Sequence, residues 1–422
     1  MSATLRTILL QLLSLLLGFG LMQMGNTLQG TLLSVRGSIE GFSPTEIGAV
    51  GACFWGGIVV GSLRSGTVIQ RVGHIRAFAG LGAVASTIPL LHLLVIDPIV
   101  WMVLRAVTGF CFAALSSSSR AGLNGFATST TRGQILSIYG MTGLMAGISG
   151  QLLLPVTDPA GFRSFCVVAI TLAFSLVPID LTRTKAPSNA DGNAKINPRV
   201  LYRQSPFGVV AAFLSGATTG AFFTLGSIFA QARGLDTGEI ALFMSSGTLG
   251  GFLMAWPLGW LSDRLDRRLV IIVAAITTAA TLLAMIAVVP HGAYAWILYI
   301  CAAIFGATIV PIYSIILAQV SDVVAKDELV AASGGLLLLQ GTGATVGPLV
   351  AGIAMSASPR GLSYTLVVAQ ILIALWGVYT FLRRTAPIAV RKGTFRVEPP
   401  VPVGTTLAAA HSTANRRSKS KS

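Results

Sequence analysis

The sequence predicts an all-α polytopic membrane protein of twelve transmembrane helices, arranged as two related six-helix halves. Three observations carry that prediction. Of the 422 residues, 53% are hydrophobic and only 10% are charged, against roughly 25% charged in an average soluble chain. Such a chain cannot cover a water-exposed surface. Its apolar residues gather into twelve runs, each close to the roughly 20 residues that a bilayer core about 30 Å thick demands. Finally, the charged stretch GWLSDRLDRR, residues 259–268, has a counterpart in GTVIQRVGHIR, residues 66–76: Gly66 and Gly259 are 193 residues apart, and so are Arg71 and Arg264.

The runs fall at roughly 6–32, 45–69, 75–95, 98–122, 134–156, 163–181, 206–231, 237–262, 268–289, 293–321, 328–356 and 362–383. The chain opens MSATLR straight into the first run with no small-residue cleavage site, so this run reads as a retained span rather than a signal peptide. Each charged stretch follows the second span of its half, which implies a parallel repeat about an axis normal to the membrane. Residues 1–181 and 206–385 are then the two bundles. Residues 182–205 (TRTKAPSNADGNAKINPRVLYRQS) read as a flexible connector. The tail, 386–422, is basic and rich in Pro, Ser and Thr, and is expected to be disordered. Its end, RRSKSKS, either touches anionic lipid or is a solvated tail with no role. The 47 glycines would each cost roughly 1 kcal/mol in a soluble helix; between membrane helices they permit close approach.

The net charge is +15. A nucleic-acid partner would call for a basic face within a balanced polar surface, whereas these bases lie between apolar runs. With the N-terminus in the cytoplasm, every Lys and Arg falls on the inner side except Arg36, Arg163, Arg233 and Arg360, and except Arg105, which lies within a span. That bias places both termini on the cytoplasmic side of the membrane. Cys53, Cys111, Cys166 and Cys301 all sit in apolar runs and read as small buried hydrophobes. No GxxxxGK[ST], HExxH or metal-spaced Cys/His group occurs, and His74, His92, His291 and His411 are scattered. LSSSSR, residues 115–120, lacks the GxSxG of a nucleophile elbow and reads as the polar inner end of span four. Neither an enzyme nor a cofactor is expected.

The charged stretches resemble the G-x-x-x-D-R-x-G-R-R loop of the major facilitator superfamily of secondary transporters. The second copy supplies Gly259, Asp263, Arg264, Arg267 and Arg268, with Asp266 where the pattern has Gly. The first supplies Gly66, Arg71, Gly73 and, one place late, Arg76, with Gln70 where the acid belongs. LRAVTGF, residues 104–110, resembles the family's fourth-span motif with its embedded arginine. GTGATVGPLVAG, residues 341–352, resembles its Gly-Pro motif, here around Gly347 and Pro348 in span eleven. LQGTLLSVRGSIEGFSPTEIG and RVGHIRAF are similar to the YcaD-like branch of bacterial permeases. The resemblance covers residues 1 to about 385. It implies a monomer of the bacterial cytoplasmic (inner) membrane, with membrane lipid around it, that moves a small-molecule substrate across the bilayer by alternating access, as a secondary active or facilitative carrier, efflux included.

In the resemblance the loop acid faces the other half, and the loop arginines pair with an acid ending the fourth span of their own half, here Asp322. The equivalent end in the first half carries Arg120. The expected latch is therefore asymmetric, held by Asp263, Arg264, Arg267, Arg268 and Asp322. Asp263 is expected near a helix N-terminus, where the dipole would stabilise it by roughly 0.3–1 kcal/mol. The alternative is that these charges are only positive-inside anchors. Pro348 removes a backbone bond and kinks span eleven, and the Gly341, Gly343, Gly347 and Gly352 face would pack on span two or eight or serve as a gate bend.

Arg105 costs at least about 2.5–3.5 kcal/mol to insert, so a function is the starting hypothesis. An anionic substrate group, a proton-linked network and a structural bond to neighbouring carbonyls all fit. No Asp or Glu falls mid-span; the nearest, Glu40 and Glu46, read as solvated loop acids. That disfavours proton coupling and cationic drugs and leaves a neutral or anionic solute open. Spans one, four, seven and ten line the family's cavity, so Asn26, Arg105, Thr219 and Tyr313, with Gln340, are the candidate substrate-binding residues. Each alone could equally be an interhelical hydrogen bond worth about 0.6 kcal/mol. A transporter-like sensor, assembly partner or lipid scramblase without solute flux is the competing function.

Overall fold

The computed structural model describes residues 3–72, 74–126, 132–180, 198–287, 295–325 and 328–383, which contain thirteen helices and no strand. The first six are α1 (Ala3–Ile39), α2 (Pro44–Val72), α3 (His74–Leu94), α4 (Pro98–Phe126), α5 (Arg132–Leu152) and α6 (Arg163–Asp180). A short α7 (Pro198–Gln204) precedes α8 (Pro206–Ala232), α9 (Thr237–Arg264), α10 (Arg267–Ala287), α11 (Ala295–Ser321), α12 (Leu329–Ala357) and α13 (Gly361–Leu382). Ten of these are long and apolar enough to cross a membrane; α6 contributes a shorter apolar stretch, Arg163–Pro178. The 37-residue α1 packs against α5 and α6. Large apolar side chains such as Leu17, Val103, Leu253, Trp256, Ile353 and Leu375 point outward. Water would penalise that surface; lipid does not.

The packing order repeats. In the first set α2 lies on α4, α1 on α5 and α6, and α3 on α4 and α6; in the second α9 lies on α11, α8 on α12 and α13, and α10 on α11 and α13. Close approaches recur at the same places. A Cβ on Gly57 would meet the Ala106 carbonyl oxygen at 2.1 Å, and one on Gly250 would meet that of Ala303 at 1.9 Å. Gly150 lies against the Met24 carbonyl as Gly347 lies against that of Ala217. At these four positions any side chain would push two helices apart.

The helix connections are duplicated down to their hydrogen bonds. Gly41 ends α1 at φ 82° and Gly234 ends α8 at φ 80°, the left-handed region that Gly enters without strain. Behind them Phe42 N donates to Gly37 O at 2.8 Å and Leu235 N donates to Ala230 O at 3.2 Å, the six-to-one bond of a Schellman cap. The next helix starts on a capping box in each case. Ser43 and Glu46 exchange side-chain-to-backbone bonds of 3.2 and 2.7 Å; Asp236 and Glu239 do so at 2.8 and 2.9 Å. Glu46 is thus a capping residue rather than a solvated loop acid. Glu40 is likewise engaged, with Arg36 at 2.6 Å.

Two further expectations change. The first span is longer than its apolar run, reaching Ile39 on the strength of that Schellman cap. Part of the connector expected to be flexible is helical: Leu201 of α7 is buried, Gln204 bonds Glu328, and Ser205 caps α8 by accepting from Gly208 N at 3.3 Å. The rest of that connector and the basic tail lie outside the described residues.

Candidate functional site: a charge cluster and a central cavity

The loop between α9 and α10 builds a compact ion cluster. Arg267 opens α10 with a side chain only 2% exposed; its Nη2 lies 2.9 Å from Asp263 Oδ1 and its Nε 3.1 Å from Asp322 Oδ2. Asp263 lies in the last turn of α9, not at a helix N-terminus, so the dipole argument fails for it. Asp266 instead takes the place before α10, accepting from Arg268 N at 2.9 Å. The neighbouring arginines lie over rings: Arg264 3.8 Å from the Trp260 centroid and Arg268 6.0 Å from that of Phe207. Gly259 is buried in α9. In the first half Gly66 has open space around it and Arg71 and Arg76 are exposed, while Gly73 and the side chain of Gln70 lie outside the described residues.

The two sets of helices clasp each other away from this cluster. α12 starts just after Asp322 and runs 29 residues, roughly 43 Å at the helical rise, so its last turns lie at the opposite end. There a Cβ on Gly48 would meet the Pro348 carbonyl oxygen at 2.4 Å, and one on Gly352 would meet that of Pro44 at 2.7 Å. Thr45 Oγ1 and Ser356 Oγ are 2.9 Å apart, and Ser34 Oγ donates to Thr224 O at 2.7 Å. The Gly-Pro face of α12 therefore packs on spans two and seven, that is on α2 and α8, rather than on span eight. Also at this end, burial and then the charge of Arg360 lower the pKa of Arg233.

Inside the clasp lies a cavity with about 920 Å³ of empty space, part of it open to solvent. α1 offers Gln23, Asn26 and Thr31, α4 offers Phe112, Ser116 and Arg120, and α5 offers Tyr139 and Gln151. Among the described residues, the second set contributes Thr219, Phe223, Thr224 and Thr248. Asn26 and Thr219, both expected, line it. Arg105 does not; it sits in an adjoining pocket behind Gly30, Phe223 and Thr224, its Cζ 4.1 Å from the Phe54 centroid. Tyr313 and Gln340 are buried but are not among the lining residues. Arg120, expected at a loop end, lies within α4, is 5% exposed and faces the cavity. The sequence signal for it is the four-residue spacing of Phe112, Ser116 and Arg120, one helical face.

The family model for the Major Facilitator Superfamily matches residues 15–264 and 209–413. The chain belongs to this superfamily. Within it the YcaD-like branch is the one supported. The MFS-type transporter YcaD of Escherichia fergusonii is 26% identical over 377 residues, covering 89% of this chain and 97% of the relative. The MFS-type transporter YE1530 of Yersinia enterocolitica is 24% identical over 376 residues, covering 89% and 96%. Among solved structures, the nucleoside transporter NupG superposes with a TM-score of 0.74 at 13% identity, covering 90% of this chain and all of that one. A bacterial homologue of the human lysosomal transporter Spinster gives 0.69 at 14% identity, with 90% and 97% covered. At those identities the structures establish the fold alone. This superfamily member is a multi-pass membrane transporter of a small molecule.

Proposed function

We propose that the protein carries its solute across a bacterial cytoplasmic membrane by alternating access, with residues 1–181 and 206–385 as the rocking halves. The single observation that carries this reading is a cavity set between two repeated bundles and shut at one end by removable, side-chain-poor contacts. The positive-inside bias puts the Arg267 cluster and both termini in the cytoplasm, so the clasp of Gly48, Pro348 and Gly352 is external and the structure is the inward-facing state. The cluster is then the cytoplasmic latch. In this state Arg267 pairs with Asp263 and Asp322 inside the second half, and closing the cytoplasmic side brings the first half's loop against them.

The test uses a cysteine-free background in which Ser116→Cys reports on the cavity. An impermeant maleimide should label that site from both sides of oriented vesicles. Adding Thr45→Cys with Ser356→Cys and oxidising should abolish external labelling alone. A site labelled from one side only, with or without the cross-link, would instead favour a sensor or assembly partner that does not alternate.

A further inference from the structure

We infer that the central cavity binds an organic anion with a flat aromatic body, and that Arg120 holds its charge. This deepens the transport reading, on which only the conclusion that the anion is cargo rests. Among the described residues lining the cavity, Arg120 is the only charged side chain; no Asp or Glu joins it. That guanidinium gives the lining a positive character, and in a partly enclosed space it attracts an anion more strongly than it would in bulk water. An entering cation would be repelled, and a neutral solute would leave the field unused.

The walls define the body of the ligand. The guanidinium of Arg120 lies 5.2 Å from the Tyr139 ring centroid. Tyr139 is stacked on Phe19 with centroids 3.8 Å apart and planes at 22°. Phe54, Trp55, Phe112 and Phe223 complete an aromatic lining. Such walls favour a ring that can stack or meet them edge-on, while an arginine fork suits a carboxylate or similar oxyanion. Three further polar atoms on the lining, Asn26 Oδ1, Ser116 Oγ and Gln151 Oε1, are buried and have no hydrogen-bond partner among the described residues. Buried polar atoms are rarely left so, and a solute carrying donors as well as an anionic group would satisfy them. Ser116 stands one helical turn from Arg120, so both reach one end of the same ligand.

The test is isothermal calorimetry on the full chain in nanodiscs, with indole-3-acetate, indole-3-acetamide and tryptamine as probes of one shape and three charges. The acetate should bind at least tenfold more tightly than the other two. Arg120→Gln should remove that preference while leaving the acetamide within threefold, and Arg120→Lys should restore part of it. Should Arg120→Gln fail to fold, Ser116→Glu, which sets a carboxylate beside the guanidinium, must abolish the preference instead. Equal or tighter binding of the amide or amine overturns the inference, as does binding of none of the probes. So does a preference that survives these variants or that vanishes only in Arg105→Gln. Anion binding without two-sided cysteine labelling would sink the transport reading and leave this site standing; two-sided labelling without anion preference would do the reverse.

Discussion

Replacing Gly48 with alanine separates a gate contact from a structural one. The added Cβ would stand 2.4 Å from the Pro348 carbonyl oxygen, where real Cβ atoms essentially never come within 3.0 Å, and 3.3 Å from Gly352 Cα. Both neighbours are backbone, so neither can rotate away, and the helices α2 and α12 must part by at least about 0.6 Å. Overpacking of this kind costs roughly 1–3 kcal/mol. On the proposed alternating-access cycle, the cost falls only on the state with the external end shut, because the halves then rock apart there. At about 1.4 kcal/mol per factor of ten, the outward-open population should rise roughly fivefold to a hundredfold. The assay is labelling of Thr31→Cys, a cavity position on the external half of α1, by an impermeant maleimide from each side in a cysteine-free background. External labelling should accelerate by that factor and cytoplasmic labelling should slow. An unchanged ratio of the two rates, with the variant folded, would refute the assignment of this contact as the external gate.

Three other outcomes are expected. Gly57→Ala and Gly250→Ala, which crowd carbonyls at 2.1 and 1.9 Å within one half each, should lower unfolding stability by similar amounts, roughly 1–3 kcal/mol, without moving the labelling ratio; thermal melts in detergent read the first and maleimide rates the second. In a double-mutant cycle of Arg267→Met with Asp322→Leu, the two groups 3.1 Å apart and 2% and 13% exposed should show a coupling of roughly 1–3 kcal/mol. Additivity there would mean that the pair is no latch. Gln29 is fully buried with both amide atoms unbonded among the described residues, so Gln29→Leu should raise the melting temperature by relieving a penalty of roughly 1–3 kcal/mol, and a fall would show that ordered water serves the amide.

The fold is legible in the sequence because bilayer thickness and backbone hydrogen bonding leave a long apolar run one option. Duplication is legible from a single loop, yet the helix connections hold a stronger record of it. GFSPTE and GLDTGE, residues 41–46 and 234–239, share a left-handed glycine followed by a capping-box pair, and they build the same turn twice. Hydropathy marks where apolar stretches stop, not where helices stop. Arg120 therefore reads as a loop-end residue although α4 continues to Phe126. The pairing of Arg267 with Asp322 spans 55 positions of sequence and no local periodicity reveals it; only the resemblance suggests it. Tyr313 and Gln340 look like Asn26 and Thr219 in sequence. What separates them is which side of a helix meets the void and which meets a neighbour, a matter of rotation that span counting does not address.

The lining of the cavity is lopsided, and this has an evolutionary corollary. Of the twenty described residues that line it, sixteen come from the first bundle and four from the second, while the Arg267 pairs with Asp263 and Asp322 lie in the second. On the transport and latch roles proposed above, recognition and timing reside in different stretches of the gene. A chimera joining the opening portion of one relative to the closing portion of another should inherit its cargo from the former and its tempo from the latter, so natural selection could retune either trait while sparing the other.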